Sequence, residues 1–307
     1  MALTFNKEIH FEYEDLQEVA PNVRRLVARN PSPFTFKGTN TYVVGHGDVA
    51  LIDPGPDLVS HRDALFAGLK GETITHIFLT HTHIDHSAGM SALQDLTGAI
   101  TLGFHEKNIR QTSDLNDQSK QPNGKDFIDH AFVPSHVLED GEHVQGTSWR
   151  LEALHTPGHA PDHLCYSLVD GNVLFSGDQV MAWNTSVVAP PEGRMSDYIQ
   201  SLEKLLERKE ETFFPGHGGR ITTPRRIVKA YIMHRMMREA SVLEAVKNGH
   251  TTITDITSVV YGNVEPHLHT ACQLSAQAHL EYLMERNKVS RVKGEASQDF
   301  AGLFYPV

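Results

Sequence analysis

Ile74-Thr75-His76-Ile77-Phe78-Leu79-Thr80-His81-Thr82-His83-Ile84-Asp85-His86 decides how this chain is read. Its first seven residues are mostly apolar or β-branched, the composition of a short buried strand. That strand runs straight into His81. A tight turn after it can point alternate side chains at one ion and the following pair at a second. Three imidazoles and a carboxylate within six residues are costly to bury unless something binds them. Neutral imidazole and carboxylate are good ligands for zinc, and also for iron or manganese.

Three more turns fit the same purpose. Thr156-Pro157-Gly158-His159, Ser176-Gly177-Asp178 and Pro215-Gly216-His217 each end a predicted strand on a glycine-bearing turn, from which the last side chain can reach a shared cleft. A carboxylate at Asp178 can bridge two ions held roughly 3.5–4 Å apart. Of the 20 histidines, His61, His76, His105, His234 and His279 are read as surface or hydrogen-bonded residues.

Around these turns the chain alternates strands and helices as far as Arg220. Residues 40–44 and 49–52 read as a hairpin across Gly45-His46-Gly47-Asp48. Residues 58–69 suit a helix, Ser87 to Leu96 another, and Asp197 to Leu206 a third. Residues 164–168 and 172–175 flank Val169-Asp170-Gly171, a second hairpin. Residues 105–130 are polar and read as a loop with short helical pieces near the site. After Arg220 the pattern turns helical. Thr223 can cap, Pro224 suits the first helical position and Gly249 the stop. Further helices are expected at about Asp255 to Tyr261 and from Pro266 to about Arg286, with a small β element after Val289.

The net charge of −11 is uneven. Residues 1–220 carry 17 Lys and Arg against 30 Asp and Glu, while residues 221–307 carry 10 against 8. That shift predicts two units, 1–220 and 221–307. The acidic N-terminus has no basic segment followed by an apolar run, and no stretch is long enough for a membrane span. A cytoplasmic protein with no membrane partner is expected. The two cysteines, Cys165 and Cys272, are read as buried thiols rather than a disulfide.

The 81–86 cluster and the turns at His159, Asp178 and His217 resemble the successive metal motifs of the metallo-β-lactamase superfamily. Gly38-Thr39-Asn40-Thr41-Tyr42 and Leu51-Ile52-Asp53-Pro54-Gly55 resemble its first strands. The resemblance implies an α/β fold, a four-layer αβ/βα sandwich with metals at one edge. It implies two Zn2+, with iron or manganese as alternatives. His81, His83 and His159 would hold one ion, Asp85, His86 and His217 the other, and Asp178 would bridge. A hydroxide between the metals would attack an electrophilic carbonyl or phosphorus. Asp85 and Asp178 are the expected catalytic carboxylates, with Asp85 orienting the nucleophile. Asp53 is read either as hydrogen bonding to a histidine ligand or as a simple turn aspartate.

Residues 221–290 resemble the small, mostly helical, winged-helix-like C-terminal domain of the endoribonuclease β-lactamase-like protein 2 family and its bacterial relatives. The matching stretches are His234-Arg235 with Arg238-Glu239, Val259-Val260-Tyr261 and the helix from His267 to Glu285. The implied function is hydrolysis of an ester, thioester or phosphodiester, with RNA or a small molecule as substrate. Small-molecule thioester hydrolysis, of hydroxyacylglutathione or acyl-CoA type, is the alternative. A β-lactamase is disfavoured by the carboxylate at Asp178, and a non-catalytic binding protein by the complete ligand set. Trp183 and Tyr198 are read as pocket lining or as packing. The C-terminal unit is expected to bind nucleic acid, form a homodimer or roof the pocket.

Overall fold

The computed structural model describes residues 5–105, 127–262, 268–292 and 302–307. In chain order its elements are β1 (Gln17–Ala20), β2 (Val23–Val27), β3 (Asn40–Val44), β4 (Asp48–Ile52), α1 (Val59–Gly68), β5 (Thr73–Phe78), α2 (Ile84–Ser87), α3 (Met90–Thr97), β6 (Ile100–Gly103) and β7 (His136–Val137). These strands form one sheet in sequence order, antiparallel from β1 to β4 and parallel from β4 to β7. The second sheet is built from β8 (His143–Gln145), β9 (Arg150–His155), β10 (Leu164–Leu168), β11 (Val173–Gly177) and, beyond helix α4 (Met195–Leu206), β12 (Thr212–Pro215). Its order is β12-β11-β10-β9-β8, with β12 the parallel edge.

Strand periodicity of two sorts the side chains into layers. Tyr42 and Val44 of β3, Tyr166 of β10 and Phe175 of β11 meet between the sheets, with Phe78 and Trp149. Val43 points the other way, into a second core under α1 and α3 with Leu65, Met90 and Leu93. Cys165 and Leu174 face outward into a third core beneath α4, with Tyr198 and Leu202. Helix, sheet, sheet, helix is the expected four-layer sandwich.

The remainder is α5 (Pro224–Lys247), α6 (Ile253–Tyr261), α7 (His269–Glu285) and the hairpin β13 (Val289–Val292) with β14 (Leu303–Pro306). α5 belongs to two cores. Val228 and Tyr231 pack beneath α4 on the second sheet, whereas Val242 and Val246 join Ile253, Ile256, Leu280 and Phe304 in a separate cluster. No helix among the described residues is long and apolar enough to cross a membrane. Both cysteines are free.

Local expectations failed where tertiary contacts overrode them. The helix expected from Ser87 starts a turn early, because Ile84 to Ser87 already forms α2, and it breaks at Gly89 against the Pro54 and Gly55 carbonyls. Thr223 makes no capping bond to α5; Thr252, by contrast, caps α6 through Oγ1 and Asp255 N at 3.1 Å. Most of the 105–130 loop and the start of the helix expected from Pro266 lie outside the described residues.

Candidate metal centre

All seven side chains singled out in the sequence converge at one edge of the sandwich. They form three interlocking groups: His81, His83 and His159; His81, His86 and Asp178; and Asp85, His86 and His217. Within each group the ligand atoms lie within 4.8 Å of one another. β5 delivers His81, and the extended residues after it carry His83. The helical turn α2 then swings Asp85 and His86 to the other side. His159 follows β9, Asp178 follows β11 and His217 follows β12.

Close approaches define the two halves. His83 Nδ1 lies 2.9 Å from His81 Nε2 and 3.1 Å from His159 Nε2. His217 Nε2 lies 3.2 Å from His86 Nε2 and 3.2 Å from Asp85 Oδ2. Asp178 Oδ2 stands between them, 3.4 Å from His217 Nε2 and 3.9 Å from His159 Nε2.

This donor set fits metal ions. A tetrahedral shell at a zinc–nitrogen length of about 2.0–2.1 Å has edges of about 3.3 Å, close to the nitrogen–nitrogen distances here. The outward nitrogens are already occupied. His159 Nδ1 faces Val187 O at 2.6 Å, His217 Nδ1 faces Gly38 O at 3.2 Å, and His86 Nδ1 faces Asp53 Oδ2 at 2.9 Å. Each of these outer partners accepts a proton, so in the neutral imidazole the inner nitrogen keeps its lone pair for a metal. Asp178 Oδ1 is buried without any hydrogen-bond partner, which a cation would answer.

Electrostatics differ across the site. Burial, reinforced by the neighbouring imidazoles, holds His81 well below the usual imidazole range. Burial and His83 push His159 down to about 4. Burial also opposes charge on His217, yet Asp178 and Asp85 outweigh it and raise that imidazole to about 9. Against burial, His217 and His86 hold Asp178 well below the carboxylate range. His81 and His159 are thus held neutral, whereas His83 is raised against burial by Glu192 and Asp85, and His217 is charge-paired with Asp178 and Asp85.

Several supporting residues carried no sequence signal. Thr80 donates its N–H to Asp53 Oδ1 at 2.7 Å and its hydroxyl to Asp53 Oδ2 at 2.8 Å, and its Oγ1 lies 3.0 Å from His81 Nδ1. Asp53 therefore bonds His86, one of the candidate ligands, as one of its two readings had it, from a left-handed backbone with φ 56°. Glu192 faces His83 Nε2 at 3.7 Å. His163 accepts the Asp178 N–H at 3.1 Å while its Nδ1 meets Thr156 Oγ1 at 2.9 Å. Gly216 is required by the packing. A Cβ there would lie 2.6 Å from both Asp178 Oδ1 and His86 Cε1. Tyr198 is fully buried, its hydroxyl donating to Gln179 O, so it packs; Trp183 stacks on Phe36 at 5.0 Å.

Comparison with known proteins agrees with this layout. The model of the metallo-beta-lactamase superfamily matches residues 34–217, and that of the beta-lactamase associated winged helix domain matches residues 252–297. A beta-lactamase-like protein 2 homolog of Drosophila melanogaster is 30% identical over 289 residues, covering 91% of this chain and 93% of that protein. The atrochrysone carboxyl ACP thioesterase AgnL7 of Paecilomyces divaricatus is 30% identical over 259 residues, covering 81% and 74%. The crystal structure of a metallo-beta-lactamase family protein from Thermus thermophilus superposes with a TM-score of 0.76 at 23% identity, over 94% of this chain and all of that one.

Proposed function

This chain belongs to the metallo-β-lactamase superfamily, and from that premise we propose that its seven converging side chains hold two metal ions, zinc first among the candidates, and hydrolyse a thioester or ester. The observation that carries the reading is the convergence of five imidazoles and two carboxylates in three interlocking groups, with Asp178 Oδ1 buried and unpartnered. His81, His83 and His159 would hold one ion, Asp85, His86 and His217 the second, with Asp178 shared. Bound there, the metals would lower the pKa of a water molecule and polarise the scissile bond.

The chain's own residues do the positioning. Asp53 and the Val187 and Gly38 carbonyls fix the tautomers of His86, His159 and His217. Asp85 is the most open of the carboxylates, its side chain 28% exposed, and accepts from Thr39 Oγ1 at 3.4 Å. It is therefore placed to orient an incoming nucleophile. Asp178 is held by His163 from behind.

Charge favours a small acyl substrate over RNA. Residues 1–220, which carry the whole cluster, have 17 basic against 30 acidic side chains, and Glu192 stands beside His83. Such a surface repels a polyphosphate backbone. A thioesterase among the relatives supports the same class. Purified protein of known metal content, assayed against an acyl thioester, an RNA and a β-lactam, tests this. Thioester turnover with the other two unchanged is expected. RNA cleavage without thioester turnover would reject the acyl reading.

The second reading, an endoribonuclease, rests on exposed Arg225, Arg226 and Lys229 at the start of α5. Replacing all three with Ala should slow RNA cleavage most at low salt if they guide a polyanion, while leaving thioester hydrolysis unchanged.

A further inference from the structure

Arg235 is the one charged side chain among the buried positions of α5, only 4% exposed. A guanidinium out of water is costly to keep unless it is paired, and no carboxylate among the described residues pairs with it. Its contacts are of another kind. One Nη donates to the Ser186 carbonyl, and the guanidinium lies over the Tyr198 ring at 5.2 Å. Both partners grip the segment that runs from Asp178 to Val187. The Ser186 hydroxyl donates to the Asp178 carbonyl, with the Gln179 carbonyl 2.9 Å away. The Tyr198 hydroxyl donates to the Gln179 carbonyl at 2.8 Å. A carbonyl held by a cation is held more strongly than one held by a neutral donor. The Ser186 carbonyl also shares one planar peptide with the Val187 N–H. Fixing it therefore limits how Val187 can turn, and the Val187 carbonyl is the one that faces His159 Nδ1.

We propose that Arg235 is a positioning residue for the metal centre: from α5 it holds Ser186, and thereby sets both Asp178 and the carbonyl that orients His159. The inference rests on the two-metal reading above. It gives helix α5 a part in the site although none of its side chains is among the seven. Without Arg235 the ion that His81, His83 and His159 would hold loses its fixed outer frame. The half with His86 and His217 keeps its own outer partners, Asp53 and the Gly38 carbonyl.

The test is chelator competition with zinc on the full chain, read beside the visible spectrum of the cobalt(II)-loaded protein. Arg235→Met should weaken one ion about 10- to 100-fold, as loss of an outer partner does, with the other changed less and the cobalt bands shifted. Arg235→Lys keeps the charge and an N–H donor and should recover most of that affinity. Val242→Ala opens a hole in the C-terminal cluster instead and measures destabilisation alone. It should lower the thermal midpoint and leave both affinities and the spectrum unchanged. Should Arg235→Met not fold, Ser186→Ala decides, since it removes the hydroxyl that reaches Asp178 and should weaken the same ion. With zinc in excess, Arg235→Met should lower kcat for an acyl thioester and leave KM unchanged. Two ions bound as tightly by Arg235→Met as by the unsubstituted chain would overturn the inference and leave the two-metal reading standing. So would an equal weakening by Val242→Ala. An unsubstituted chain that binds no zinc would overturn both. A chain that binds zinc but turns over no thioester would reject the acyl substrate, while the affinities still decide the role of Arg235.

Discussion

Asp53 Oδ2 lies 2.9 Å from His86 Nδ1 while the same carboxylate takes both the N–H and the hydroxyl of Thr80. One side chain thereby orients a histidine on α2 and ties down the residue before His81. Asp53→Asn is expected to keep the fold, since Asn tolerates the left-handed backbone at this position. It should weaken one metal about 10- to 100-fold, the usual effect of removing an outer partner. Chelator competition measures this, and unaltered affinity for both ions would remove Asp53 from the site's support.

Protein purified without chelator should carry about two metal equivalents per chain, as two-metal hydrolytic sites do. Stripping them should abolish hydrolysis, and adding zinc should restore it. Elemental analysis alongside the activity assay checks both halves. A stripped chain that retains full activity would end the metal-dependent reading.

Asp178 and His163 are neighbours with different duties. Asp178→Ala should lose at least one metal equivalent and nearly all turnover. His163→Leu removes the acceptor behind the Asp178 N–H and the contact with Thr156 Oγ1, so a loss of about 10- to 100-fold with metals retained is expected. Equal losses of metal from both would mean that His163 is itself a ligand.

His61 sets an acid limit on stability. It is buried against Thr41 Oγ1 at 2.9 Å, and burial pushes its imidazole down to about 4. The unfolded chain titrates this group near 6.5, so between those values the unfolded state binds more protons. Its contribution is complete above about pH 6.5 and falls as pH drops towards 4, by roughly 2 kcal/mol at pH 5. Burial acts in the same direction on His279 and His234. Denaturant unfolding at pH 7 and pH 5 measures the slope, and His61→Gln should flatten it. A slope that is the same in the variant would show that other groups carry it.

The candidate ligand set was legible because its members follow strand ends, His81 to His86 after β5, His159 after β9, Asp178 after β11 and His217 after β12. His81 after β5 and His217 after β12 needed no knowledge of the tertiary structure. Their partners were not legible. Val187 O and Gly38 O are backbone carbonyls with no residue type to betray them, and Glu192 meets His83 from a distant part of the chain. The two- and three-residue strands β7 and β8 are too short for any periodicity. Nor can a pattern along the chain reveal the unpartnered nitrogens of His279, which as a lone histidine reads as surface or hydrogen-bonded. Their isolation comes from three helices meeting.

Helix α5 is sealed into the sandwich by Val228 and Tyr231, and into the C-terminal cluster by Val242 and Val246. The Tyr231 hydroxyl also donates to the Met181 carbonyl, three residues beyond Asp178. For recombination between relatives this makes the two halves a matched pair. A graft joined after Arg220 brings in a foreign helix that must fill the sandwich's own core and brace the loop behind Asp178. A graft joined after Gly249 asks the native helix to receive unfamiliar partners instead. Either way the seam falls inside a packed surface, so domain exchange in this lineage is constrained at α5 on both sides at once.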